Sequence, residues 1–114
     1  MNTKLTGKKA EDIACSFLIQ NGLVLIIRNY HCRHGEIDLI MQDSDTLVFV
    51  EVRYRKNNTY GSAAESVNRA KQRKIIFSAN HYLTAHPTDC PLRFDIVALS
   101  PNQPLQWINN AFNV

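Results

Sequence analysis

The sequence predicts one α/β domain, a sheet covered by helices on both sides, and three observations predict it. Two segments space their apolar residues as helices do. Four others, three of them consecutive, are rich in β-branched and apolar residues between turn-forming runs. Two of those three strands are apolar on both faces over part of their length, as in a sheet with helices above and below. The 114 residues suit a single domain, 1–114, with one proper core, and the 45% hydrophobic content is ordinary for a globular chain.

Thr6 to Asn21 is expected to be helical, with Ala10, Ala14, Phe17 and Leu18 on one face and Asn21-Gly22 as its C-terminal stop. Leu23 to Tyr30 reads as a strand, followed by a polar connection from His31 to His34. Gly35 to Gln42 and Leu47 to Tyr54 are two further strands around the turn-forming run Asp43-Ser44-Asp45-Thr46. Arg55 to Asn68 is a polar loop, long enough to suggest a functional role. Asn68 caps a second helix that runs to His86 and is stopped by Pro87. Its stripe is Ile76, Ala79 and Leu83, with Ile75 and Tyr82 beside it, and Gln72 extends that stripe one turn toward the sheet. Leu92 to Leu99 is the fourth strand. Pro101 and Pro104 bracket a turn, and Leu105 to Phe112 is expected to close the chain as a short helix.

Charge and cysteine content narrow the function classes. The net charge of +3 is mildly basic and compatible with a polyanionic partner. The longest apolar run, Leu23 to Ile27, is too short to cross a membrane, and the charged N-terminus carries no apolar signal region. The expectation is a cytoplasmic protein with no membrane partner. Cys15, Cys32 and Cys90 are odd in number and far apart, which fits a reducing compartment rather than a disulfide scaffold. Cys32, His34 and His31 lack a second ligand pair at zinc spacing, which argues against zinc.

The chemistry lies in Gly35-Glu36-Ile37-Asp38-Leu39-Ile40 and Val48-Phe49-Val50-Glu51-Val52-Arg53. Glu36 and Asp38 share one face of their strand, as do Glu51 and Arg53. A loop of Ser44-Asp45, or of Asp43 to Thr46, gives one register. In it Gln42 faces Leu47, Ile40 faces Phe49, Asp38 faces Glu51 and Glu36 faces Arg53. Opposed residues have Cβ atoms roughly 4.5–5.5 Å apart, so two carboxylates there repel unless a proton or a cation sits between them. Glu36–Arg53 also reads as an ordinary cross-strand ion pair. Glu11 lies near the buried side of the first helix, and reads equally as a first-turn acid complementing the helix dipole.

These residues carry a resemblance. A strand with an acid, then a strand with Glu-x-Lys, with helices in this order, resembles the core of the PD-(D/E)XK nuclease superfamily. The chain is more closely similar to the small bacterial YraN family, whose members look like archaeal Holliday-junction resolvases. The likeness covers nearly the whole chain. It is carried by Gly7 with Glu11 and Ala14, Asn29-Tyr30, Gly35 to Ile40, Val48 to Arg55, Lys71-Gln72, Arg93-Phe94-Asp95, and Trp107 with Ala111-Phe112. It implies a restriction-endonuclease-like core of α-β-β-β-α-β order, with a mixed sheet flanked by helices and a short C-terminal helix.

By resemblance, Asp38 is the metal-binding acid and Glu51 the glutamate of the Glu-x-Lys element. The carbonyl of Val52 is a third ligand, Glu36 and Glu11 are accessory acids, and Gln72 is a helix residue that reaches the site. The implied cofactor is Mg²⁺ or Mn²⁺, which takes hard oxygen ligands and substrate phosphate. Arg53 departs from the pattern, which has lysine there. It keeps the charge and can clamp a phosphate with two hydrogen bonds, but does not shuttle a proton. Lys71 and Lys56 are alternative sources of an ammonium.

The implied activity is hydrolysis of nucleic-acid phosphodiesters, with DNA the expected partner. The alternative is a catalytically degenerate binding or interaction module of the same fold. Arg33, Arg55, Lys56, Lys71 and Arg73, together with Arg28, Arg69 and Lys74, are candidate phosphate contacts, and Tyr54 and Tyr60 could stack on bases. A homodimer is compatible with this reading.

Overall fold

The first helix, α1 (Gly7–Gln20), buries Ala10, Ala14, Cys15 and Leu18 along one face. It ends where the sequence places its stop. Gly22 adopts a φ of +95°, which glycine enters without steric cost. That conformation lets the N–H of Gly22 reach the carbonyl of Ile19 and the N–H of Leu23 reach that of Leu18. Leu23 is buried in the same cluster as Leu18, which fixes the chain's exit from the helix.

The structure, a computed structural model, describes residues 7–55, 67–101 and 103–113. Lys56 and Tyr60, two of the candidate nucleic-acid contacts, lie outside the described residues. After α1 come β1 (Val24–Cys32), β2 (Gly35–Asp43) and β3 (Thr46–Tyr54), then α2 (Arg69–Ala85), β4 (Leu92–Leu99) and β5 (Gln106–Ile108). The sheet order is β1-β2-β3-β4-β5. β1, β2 and β3 are antiparallel neighbours, β4 runs parallel to β3, and β5 returns antiparallel to β4. This is the mixed sheet flanked by helices that the sequence implies.

The sheet separates two apolar layers. Leu39, Met41, Val48, Val50 and Val97 pack against Ala10, Ala14 and Leu18 of α1. Ile37, Ile40, Phe49, Phe94 and Ile96 pack on the opposite side against Ile75, Ala79 and Tyr82 of α2. The alternation of Val48 and Val50 with Leu47 and Phe49 therefore serves both layers, as a doubly covered strand requires.

Two expectations are corrected. The chain closes as a strand, not as a helix over 105–112. Trp107 turns toward α1, where its ring meets Phe17 edge-on at 5.9 Å, while Ile108 joins the layer under α2. Spacing of Leu105, Ile108 and Phe112 suits a helix, but the free edge of β4 and a buried carboxylate prevail. Asp95, fully buried on β4, accepts hydrogen bonds from Trp107 Nε1 at 2.9 Å and from the N–H of Asn110 at 2.9 Å.

The second correction is the rotation of α2. Its buried line is Ile75, Ser78, Ala79 and Tyr82, with Ile76 and Leu83 on the flank. The helix is turned by one residue from the expected stripe. Gly35 explains why a serine can sit in that line. A Cβ at Gly35 would lie 2.9 Å from Ser78 Oγ, so the β1–β2 hairpin presses directly onto the helix. Cys32 Sγ stands 3.3 Å from the same hydroxyl and gives it a partner.

Candidate functional site

The β2–β3 ladder keeps the expected register from Asp43–Thr46 to Leu39–Val50, with Ser44-Asp45 as the loop. One position further along stand Asp38 and Glu51, and there the ladder stops. Asp38 Oδ2 instead accepts the backbone N–H of Val52 at 2.8 Å. A side chain thus takes the hydrogen bond that a paired strand would take, and the two strands part around the acids.

Both carboxylates are buried, Asp38 at 9% exposure and Glu51 at 4%. Glu51 alternates with Phe49, which packs on the side covered by α2, and Lys71 of α2 reaches it. The Asp38 carboxyl is pushed up to about 7. Burial is the largest cause, followed by the negative charge of Glu51. The Val52 N–H opposes the shift, while a hydrogen bond shared with Glu51 and the charge of Glu36 add to it.

Two cations face the Glu51 side of the pair. Arg53 Nη1 and Lys71 Nζ each stand 3.5 Å from Glu51 Oε2. Lys71 reaches the site because of the rotation of α2, since it lies one turn before the buried Ile75. Gln72 is carried away by the same rotation. Its Nε2 donates to the Val67 carbonyl at 3.1 Å, and it faces Arg69, Arg73 and Ile76.

The accessory acids occupy the rim. Glu36 is exposed and pairs with His31 Nδ1 at 3.2 Å across β1. Glu11, near the start of α1, lies 3.7 Å from Arg28 Nη2, while Arg28 binds Asp12 more closely, at 2.7 Å. The Glu11 carboxyl is raised by burial first and by the charge of Asp38 second, and a hydrogen bond from the Asn29 side chain opposes this. Glu11 therefore feels the acid centre, and it lies past the first turn of α1, which carries no acid. Asn29, with a φ of +54°, is the one left-handed residue within β1. The ladder runs from Arg28–Leu39 to Tyr30–Ile37, which puts Asn29 across from Asp38. Its role could not be read from the sequence, where only its presence beside Tyr30 marks it.

Among the described residues no group of three His, Cys, Asp or Glu side chains is placed to hold a metal ion on its own. A buried pair of hard oxygen ligands still suits Mg²⁺ or Mn²⁺, which keep several waters and are often bound through one or two carboxylates with substrate phosphate. It does not suit zinc, whose structural sites are closed by four protein ligands.

The remaining basic residues are spread around this centre. Arg33 forms part of the β1–β2 turn and is exposed; Arg73 lies exposed on α2. Arg55 is exposed past the end of β3, tied by its backbone N–H to the Leu99 carbonyl at 3.0 Å. Arg28 is engaged by the α1 carboxylates rather than directed at a ligand.

Comparison with known proteins gives a consistent family. The family model described as uncharacterised protein family UPF0102 matches residues 10–99. A UPF0102 protein of Nitrosomonas eutropha is 52% identical over 112 residues, covering 98% of this chain and 97% of that one. One from Nitrosospira multiformis is 51% identical over 116 residues, covering 100% and 98%. One from Psychromonas ingrahamii is 53% identical over 107 residues, covering 93% and 88%.

Proposed function

We propose that this chain, which belongs to the uncharacterised protein family UPF0102, is a divalent-metal-dependent nuclease that hydrolyses phosphodiesters of nucleic acid, with DNA as the substrate. One observation carries the reading: two buried carboxylates are held together at a cost, with an arginine and a lysine on the same carboxylate. Buried acids raised by desolvation and by a neighbouring carboxylate cluster at functional sites, which supports this reading.

Asp38 and Glu51, with the Val52 carbonyl, are the ligands this reading assigns to Mg²⁺ or Mn²⁺. The bound ion would polarise a phosphoryl oxygen and acidify a water. The protein's own groups do the rest. Asp38 gives up its proton when the site is filled. Val52 N–H fixes the Asp38 carboxylate. Lys71 and Arg53, which stand at Glu51, are available to a phosphate once the carboxylate is otherwise neutralised. Lys71 in particular restores an ammonium to a strand pair that carries arginine in place of the usual lysine.

The test is cleavage of single-stranded, duplex, flapped and branched DNA and of RNA in Mn²⁺, alongside a thermal-shift titration with the metal. Binding should stabilise the fold in proportion to the logarithm of metal concentration. Lys71→Ala should lower cleavage by about 10²-fold or more, as loss of one positioned cation at a transition state does. Arg53→Lys should raise it. Metal binding without cleavage of any of these substrates would favour the degenerate module.

A further inference from the structure

Beside the acid centre, between the β1–β2 hairpin and the first half of α2, lies a cavity of about 340 Å³. His31, His34, Lys71 and Lys74 line it, with Glu36 the one acid. Lys71 connects it to the carboxylate pair, since its Nζ stands 3.5 Å from Glu51 Oε2, and Glu36 on its wall pairs with His31. A second hollow of about 520 Å³ continues it outward over α2, and the two share His34 and Lys74. Its floor is Phe77, 48% exposed, with Arg73 and Lys74 alongside. The His34 ring stands at 79° to the Phe77 ring, 5.1 Å away.

A single exposed phenylalanine on a helix is unremarkable by itself. This one lines a hollow bordered by Arg73 and Lys74 that meets the cavity of Lys71, the residue that reaches Glu51. We propose that this track holds one unpaired nucleotide next to the scissile phosphate. Its phosphate sits among His31, His34, Lys71 and Lys74, and its base stacks on Phe77.

The inference rests on the nuclease reading above and names its substrate class. A cationic groove interleaved with an aromatic platform is how single strands are held without regard to sequence. A paired base offers only its edges in the grooves, so its face is not available to Phe77. The substrate must therefore have a frayed end, a flap or a loop at the cut. The groove is preformed, since Gly35 lets the hairpin rest against Ser78 and the Lys74 backbone, where a side chain would push it off.

The experiment measures binding of a labelled single-stranded oligonucleotide and of a blunt linear duplex with G·C-rich ends and no loop, with Ca²⁺ replacing the reactive metal. Phe77→Ala should weaken single-strand binding roughly 5- to 100-fold and leave duplex binding within about twofold. Phe77→Trp should restore the preference. Lys74→Ala should weaken single-strand binding and reduce its log–log salt slope by about 0.7. Unchanged single-strand affinity in Phe77→Ala, equal loss on both ligands, or no binding of nucleic acid at all would overturn the proposal. Selective loss on the single strand in a protein that cleaves nothing would keep the track and discard the nuclease. Duplex cleavage by Phe77→Ala at the parental rate, with single-strand binding unchanged, would do the reverse.

Discussion

Asp38 is where sequence, energetics and chemistry meet. Its proton is retained to about pH 7 in the folded chain, against an ordinary value of 3.8. Between those two values the folded state binds more protons than the unfolded one, so metal-free stability falls as pH rises through the window. Above about pH 7 the full cost of the repulsion is present, and below 3.8 it is absent. Asp38→Asn removes the titration while keeping an oxygen for the Val52 N–H and adding a donor for Glu51. The variant should be more stable than the parent by roughly 1–3 kcal/mol at pH 8 and nearly equal to it at pH 4. Chemical denaturation of both proteins in chelator across that range checks it, and metal stabilisation should vanish in the variant. A variant less stable than the parent at pH 8 would mean that the acid pair is structural.

At the scale of elements, β4 and β5 are held by the Asp95 carboxylate. Besides Trp107 and Asn110 it accepts from Arg93 Nε at 2.9 Å and Nη2 at 3.0 Å, and Nη2 also reaches Asp43 Oδ2 at 3.0 Å. One buried residue thus joins the C-terminal strand, β4 and the end of the β2–β3 hairpin. Asp95→Ala takes the acceptor from four donor groups, of which Arg93 Nη2 keeps Asp43, and should cost about 3–5 kcal/mol, read as a loss of thermal stability. Trp107→Phe keeps the packing on Phe17 and should cost about 1 kcal/mol.

This arrangement explains what the sequence withheld. The spacing around Ile108 is as good for a helix as for a strand, and the partner that decides it, Asp95, lies on another element. The acid pair was legible because a hairpin register follows from a short loop and period-two alternation. The α2 contribution was not. Ile75 and Ile76 are adjacent and equally apolar, so the stripe alone could not say which faces inward. Ser78 tips the choice, and its burial depends on Gly35 and Cys32, which belong to the hairpin. That one-residue rotation presents Lys71 instead of Gln72 to the acids.

Among the described residues, charge is distributed along the sheet rather than evenly around it. Arg33, Lys71, Arg73 and Lys74 gather where β2 begins and α2 starts. Asp43 and Asp45 occupy the turn at the other end of β2, with Arg93 neutralising Asp43. A net charge of only +3 therefore understates the field at the acid centre. Association with a nucleic-acid strand should be salt-dependent, and the contributing cations should all lie at one end. Each phosphate contact adds about 0.7–0.9 to the slope of log affinity against log salt. Replacing Arg33 and Arg73 together by glutamine should flatten that slope by about 1.4–1.8, with little effect on metal affinity. Replacing Asp45 by asparagine at the opposite end should leave it unchanged. Equal responses at both ends would indicate diffuse attraction to a basic protein, and no orientation toward the acid pair.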